Sequence, residues 1–307
     1  MGKDLGELRI RMQRAASGTA AGRLVRRTRK AGRHLRARTA VPALGLRNTR
    51  SSSPVTGTGP VVVSLTSYGR RLASVHLAIE SIGRGSVRPR RLILWLEDSA
   101  IVSSPPPELL RLRQRGLELR LTRGYGPHTK YYPYVASAQK HSDPLVTADD
   151  DVIYPRHWLR DLLRSYAEAP DAVSCHWANR IAVADGTIEQ YRSWVPSKTS
   201  DQRRDSLALG VSGVLYPPRM LDRIAAAGPS FQERSPTADD IWLHWVALRG
   251  GISVRQVSTV PRHFPVIPGS QNTGLLSVNV SQGRNDDWIR GLYTQEDVRM
   301  IEGAYQP

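Results

Sequence analysis

Three consecutive carboxylates, Asp149, Asp150 and Asp151, follow the apolar run Leu145–Ala148 and precede Val152-Ile153-Tyr154-Pro155. Like charges side by side repel. In an extended segment alternate side chains share a face, so the pattern predicts that Asp149 and Asp151 point the same way. Two converging carboxylates suit Mg2+ or Mn2+, with phosphate oxygens and water completing an octahedron. The competing reading is a solvated polar turn that opens the helix after Pro155. His263, in VPRHFP, is the candidate third ligand, against the plainer role of a structural histidine.

A second acidic pair, Asp239 and Asp240, stands in TADDIWL. Thr237 with Asp240 fits a capping pattern, and acids suit a helix N-terminus. A carboxylate there could equally serve as a general base for a hydroxyl within hydrogen-bond reach. Basic groups that could meet a diphosphate are Lys130, in GYGPHTKYYPY, and Arg70 and Arg71, in SYGRR. Neither a dinucleotide fingerprint nor a P-loop occurs in that segment. Asn279-Val280-Ser281 matches a glycosylation acceptor, but with no secretory signal in view it is given no weight.

The elements that must position these residues alternate in type. PVVVSLTSY, RRLILWLED, LELRLTR and DPLVTA read as strands. Between them fall a helix through Leu72, Val75, Ile79 and Ile82, a short helix in SSPPPELLRLRQRG, and a helix near Tyr134–His141. PRHWLRDLLRSYAEAP is a helix after the triplet. This order predicts an α/β fold: a mostly parallel sheet with helices on both faces. Ligands in such sheets sit beyond the carboxyl ends of the strands. Ser64–Arg71, Glu97–Asp98 and Asp149–Asp151 all fall at such ends. The second half is more mixed, with a hairpin at Asp185–Gly186, a helix after Thr237, a polar loop at Ser281–Trp288 and a closing helix in TQEDVRMIEGAY.

Residues 1–53 hold 14 Lys and Arg against 2 acids, whereas the other 254 residues hold 30 against 25. The chain's net charge of +17 therefore belongs mostly to its first segment, and nucleic acid is not the expected partner. Residues 1–59 are expected to be a basic, disordered leader and linker, with a helix lying on an anionic membrane as the alternative for residues 1–50. Cys175 is the single cysteine, which excludes an internal disulfide. No apolar stretch is long enough to span a bilayer, so a cytoplasmic protein is expected, with a peripheral position at the inner face of the cell membrane as the alternative.

The ordered set VVVSLTSYGRR, GPHTKYYPY, LVTADDDVIYP, GVSGVLYPP and TADDIWL resembles bacterial glycosyltransferases of the GT-A fold, close to the family 2 type. The likeness covers about residues 60–290. It implies a nucleotide-sugar half at 60–155, an acceptor and catalytic half at 156–307, and a glycan or glycolipid acceptor. Thr66, Ser67 and Tyr68 would lie by the nucleoside. Lys130, Asp150, Gly213, Arg70 and Arg71 would face the rest of the donor. Asp149 and Asp151 would hold Mn2+ or Mg2+, and Asp240, with Asp239 as understudy, would deprotonate the acceptor with inversion. The first strand lacks the usual early acid, so Glu97 or Asp98 would contact the base instead. A metal-dependent phosphohydrolase or nucleotidyltransferase is the rival enzyme, and a basic nucleic-acid-binding protein the rival non-enzyme.

Overall fold

The structure is a computed structural model that describes residues 20–270 and 283–303. Helix α1 (Ala20–Arg50) leads into β1 (Gly59–Thr66), α2 (Val75–Gly83), β2 (Pro89–Leu96), α3 (Ser99–Ser103), α4 (Pro107–Gln114) and β3 (Leu117–Leu121). Then come α5 (Tyr132–Val135), β4 (Leu145–Thr147), α6 (Trp158–Glu168), β5 (Val173–Cys175), β6 (Ala178–Arg180), β7 (Val183–Ala184), β8 (Thr187–Ile188), β9 (Val195–Pro196), β10 (Ser206–Ala208) and β11 (Val214–Tyr216). The chain ends in α7 (Pro218–Ala227), α8 (Phe231–Arg234), α9 (Asp239–Arg249), β12 (Val254–Gln256), α10 (Arg284–Leu292) and α11 (Gln295–Gly303).

Seven strands form one sheet in the order β12-β5-β11-β4-β1-β2-β3. All neighbours are parallel except β11, which runs antiparallel to both β4 and β5. This is the expected mostly parallel α/β sheet, and it runs unbroken across residue 155. Alternation along the strands splits the core into two layers. Val61, Val63 and Leu65 of β1 pack with Leu92 and Leu94 under α2, α4 and α6. Val62, Leu145, Val173, Val214 and Tyr216 face the other way, onto α7 to α11. The expected hairpin is present: β7 pairs with β8 around Asp185 and Gly186, both at positive φ.

Three expectations need correction. The helix near Tyr134–His141 is only the single turn α5; the Ser137 hydroxyl donates to the Tyr134 carbonyl at 2.6 Å, an alternative to helical propagation. The polar stretch at Ser281–Trp288 is helical from Arg284 onward, with residues 281–282 and the Asn279 motif outside the described residues.

The third concerns the leader. Residues 20–50 form a helix, and its C-terminal half is docked. Ala37 and Leu44 pack with Leu77 and Ala78 of α2 and with Ile153 and Ile267. The Asn48 amide donates to Glu80 at 3.2 Å and accepts from Arg111 at 2.9 Å. Arg47 pairs with Glu80 at 3.1 Å, and Arg115 closes a bidentate pair on the same carboxylate. Few large apolar side chains are needed, because the seam uses small residues and a buried polar network instead.

Candidate active site

Parallel strands β1, β2 and β4 deliver their carboxyl ends to one edge of the sheet. Past Thr66 the chain turns, and the Ser67 hydroxyl donates to Asp150 Oδ2 at 2.6 Å. Arg71 donates to Asp150 Oδ1 at 3.0 Å and lies 3.8 Å from Asp151 Oδ2. Strand β4 stops at Thr147, and Asp150 and Asp151 occupy a turn. The extended-strand alternation therefore does not apply, and Arg71 pairs with Asp150 and Asp151 rather than with the expected face. Asp149 turns to Lys130, whose Nζ is 3.2 Å from its Oδ1.

Lys130 ends a 3-10 turn, Gly126–Lys130, and also meets a second acid: its Nζ lies 3.1 Å from Asp239 Oδ2. Burial works against the charged amine, but Asp149, Asp239 and Asp240 outweigh it and hold its pKa well above the ordinary lysine value. Asp240 points the other way on the first turn of α9, and its Oδ1 accepts the Gly210 amide at 3.0 Å. A side chain at 210 would be crowded, with Cβ 3.1 Å from Asp240 Oδ1 and 3.2 Å from Lys130 Nζ. The capping pattern is not used as expected: the helix is entered at Ala238, and the Thr237 hydroxyl accepts from the Trp288 indole at 3.2 Å. Burial, then the charge of Asp239, pushes the Asp240 carboxyl well above its usual range, with Lys130 and the Gly210 amide opposing. A raised carboxyl is a stronger base than an ordinary one, which is the direction a general base needs.

Negative charge remains under-compensated around Asp151. Burial, then Asp149, raises its pKa to about 6 in spite of Arg71. Its carbonyl accepts the Ile267 amide at 2.7 Å, and the Ser270 hydroxyl lies 3.4 Å from its Oδ2. Among the described residues no three His, Cys, Asp or Glu side chains gather into a closed metal cage. The excess charge and the hard oxygen donors do fit a divalent ion bound by one or two carboxylates and completed by diphosphate oxygens.

Other expected residues go elsewhere. His263 faces the Trp177 ring edge-on at 5.2 Å; burial, then the charge of Arg33, lowers its pKa, and no bond joins it to the acids. Asp98 caps α3 by accepting from the Ala100 amide at 2.8 Å. Glu97 is exposed, its carboxylate lying 2.6 Å from where a Cβ on Gly124 would stand. Thr66 is bonded to the Trp95 carbonyl at 3.1 Å, while Tyr68 and Arg70 are exposed at the edge. Gly213 has a packing reason: φ is +85°, and a Cβ would meet the Trp158 ring at 2.6 Å. The glycine at the acids is Gly210, in the same GVSG segment, and spacing alone does not choose between them.

The fold, taken alone, is a known architecture. A mannosyltransferase from Pyrobaculum calidifontis, solved with GDP-Man and Mn2+, superposes with a TM-score of 0.51 at 15% identity, covering 90% of this chain and 79% of that one. The fold is GT-A-like. Two solved structures match more loosely. One is S. aureus TarS 1-349 (TM-score 0.43, 11% identity, 67% of this chain and 59% of that one). The other is a CMP:2-keto-3-deoxy-manno-octonic acid synthetase complexed with CTP (0.42, 10%, 75% and 100%). No protein-family model matches the sequence, and no curated protein matches it.

Proposed function

We propose that this chain is a metal-dependent glycosyltransferase that moves a sugar from a nucleotide-sugar donor to an acceptor hydroxyl, with inversion, in cell-surface glycan or glycolipid synthesis. One observation carries the reading: Lys130 joins the strand-end acid Asp149 to the helix-start acid Asp239, next to Asp240. The groups suited to a diphosphate and the group suited to deprotonating an acceptor therefore belong to one linked cluster of charges.

Asp149 and Asp151 would hold Mn2+ or Mg2+ arriving with the donor. When bound, the ion stabilises negative charge on the departing nucleoside diphosphate. Lys130 and Arg71 add fixed positive charge toward the same oxygens, and Ser67 keeps Asp150 facing Arg71. The acceptor oxygen attacks the anomeric carbon as the bond from that carbon to the diphosphate oxygen breaks. The acceptor proton goes to the Asp240 carboxylate, which the Gly210 amide aims. A single displacement inverts the anomeric centre. GDP-Man and Mn2+ in the fold-sharing mannosyltransferase support the donor class and the ion, though not the particular sugar.

The test is a donor-turnover assay that resolves nucleoside diphosphate from inorganic phosphate, run on wild type and Asp240→Asn. Wild type should release nucleoside diphosphate in step with acceptor glycosylation. Asp240→Asn should slow turnover about 10²–10⁴-fold, the usual contribution of a positioned general base, while donor affinity stays within about two-fold of wild type by this reading of its role. Release of inorganic phosphate, or a variant that loses only melting temperature, would overturn the assignment.

A further inference from the structure

Helix α1 has 31 residues, so it is about 46 Å long. It contains 10 Lys and Arg and no acid. Its second half meets the body through Ala37, Leu44 and Asn48. On the side turned away, Thr28, Ala31, Leu35, Thr39, Pro42 and Leu46 recur at spacings of three and four, and all are exposed. Helical geometry places them in one stripe. Leu35 is 65% exposed and Leu46 49%, among the few large apolar side chains of the described residues left open to solvent. Exposed Arg27 and Arg38 flank the stripe on one side, and Arg36 and Arg50 on the other.

An apolar stripe bordered by cations is the pattern of a helix that lies in a bilayer interface, leucines inward and guanidiniums at the headgroups. No described helix is long and apolar enough to cross a membrane. We infer that the outward face of α1 docks the protein on an anionic lipid surface, with Leu35 and Leu46 inserted and Arg27, Arg36, Arg38 and Arg50 on the headgroups. Nucleic acid would use the same cations but has no use for the exposed leucines, and the face offers no aromatic ring for base stacking.

The docking would be directional. The inner face of α1 packs on Ile153 and Ile267. The Ile153 amide donates to the Pro265 carbonyl at 2.8 Å, and the Ile267 amide donates to the Asp151 carbonyl at 2.7 Å. A membrane held by α1 therefore sits at a fixed position relative to the acidic turn. The inference does not rest on the transferase reading, since lipid binding is measured without substrate.

The experiment is co-sedimentation of the full chain with vesicles of phosphatidylglycerol and phosphatidylcholine, against phosphatidylcholine alone. Binding should require the anionic lipid and weaken with salt. Each basic side chain at such a surface contributes about five-fold, so Arg27→Glu with Arg38→Glu should weaken binding by roughly 25-fold or more. Leu35→Ser with Leu46→Ser should weaken it by about ten-fold or more. All four positions are exposed, so circular dichroism melting should match wild type. Failure of the full chain to bind anionic vesicles would overturn the inference. So would a leucine pair that leaves vesicle binding intact, or tighter binding to a random-sequence duplex than to the vesicles.

Discussion

Asp151 shows at the scale of one residue how the site is organised. Its pKa of about 6 means the folded protein resists ionising it: burial and the charges of Asp149 and Asp150 exceed what Arg71 returns. A neutral isostere should relieve that cost. Asp151→Asn is expected to raise the melting temperature by about 2–4 °C, corresponding to roughly 1–2 kcal/mol, while abolishing turnover and metal-dependent donor binding. Differential scanning fluorimetry with and without Mn2+ and nucleoside diphosphate reads both effects. A fall in melting temperature together with intact donor binding would remove Asp151 from the site. The types and rough places of the acids were legible in the sequence, because a strand-end triplet and a helix-start pair are local patterns. The partners were not. Arg71 with Asp150, and Lys130 with Asp149 and Asp239, depend on where β4 stops and on a turn 19 residues before the triplet, neither of which spacing fixes.

At the scale of the element, α1 is the largest departure from expectation. Charge density argued for a disordered arm, yet the helix is tied down by Glu80, a fully buried carboxylate shared by Arg47, Arg115 and Asn48. These residues lie at least 32 positions from Glu80 in the chain, so no window-based reading brings them together. Removing one member of a buried ion network strands the others. Glu80→Ala should therefore cost about 3–5 kcal/mol in urea unfolding and loosen α1, opening the segment around Ser51–Pro54 to protease. If α1 were an independent arm, stability would stay within about 0.5 kcal/mol of wild type, as for a surface change. The strands were easier to read than this helix. PVVVSLT and RRLILWL are buried on both faces, and continuous apolar runs report that directly.

For the whole molecule, acid stability sums contributions of opposite sign, and a difference measurement isolates one of them. His244 is buried, with Nδ1 2.7 Å from the Tyr293 hydroxyl and Nε2 2.8 Å from the Arg204 carbonyl, so it joins α9 to the chain before β10 and to the C-terminal helices. Burial lowers its pKa to about 4. An unfolded histidine takes a proton near 6.5. Between those values the unfolded state binds the proton and the folded state does not, so the histidine's contribution is complete above about pH 6.5 and is lost as pH falls toward 4. Raised carboxyls such as Asp151 act in the opposite sense over part of that range, since the folded state protonates first. They are common to wild type and to His244→Gln, and cancel in the difference. The variant should be less stable at pH 7.5, and the gap should narrow below pH 6.5 by up to about 1.4 kcal/mol per pH unit. Urea denaturation at about pH 7.5, 6 and 5, one value above the unfolded histidine's pKa and two below it, measures it. A gap that stays constant would show that the fold leaves the His244 pKa unshifted, and one that widens with acid would show that its bonds to Tyr293 and Arg204 hold a cation.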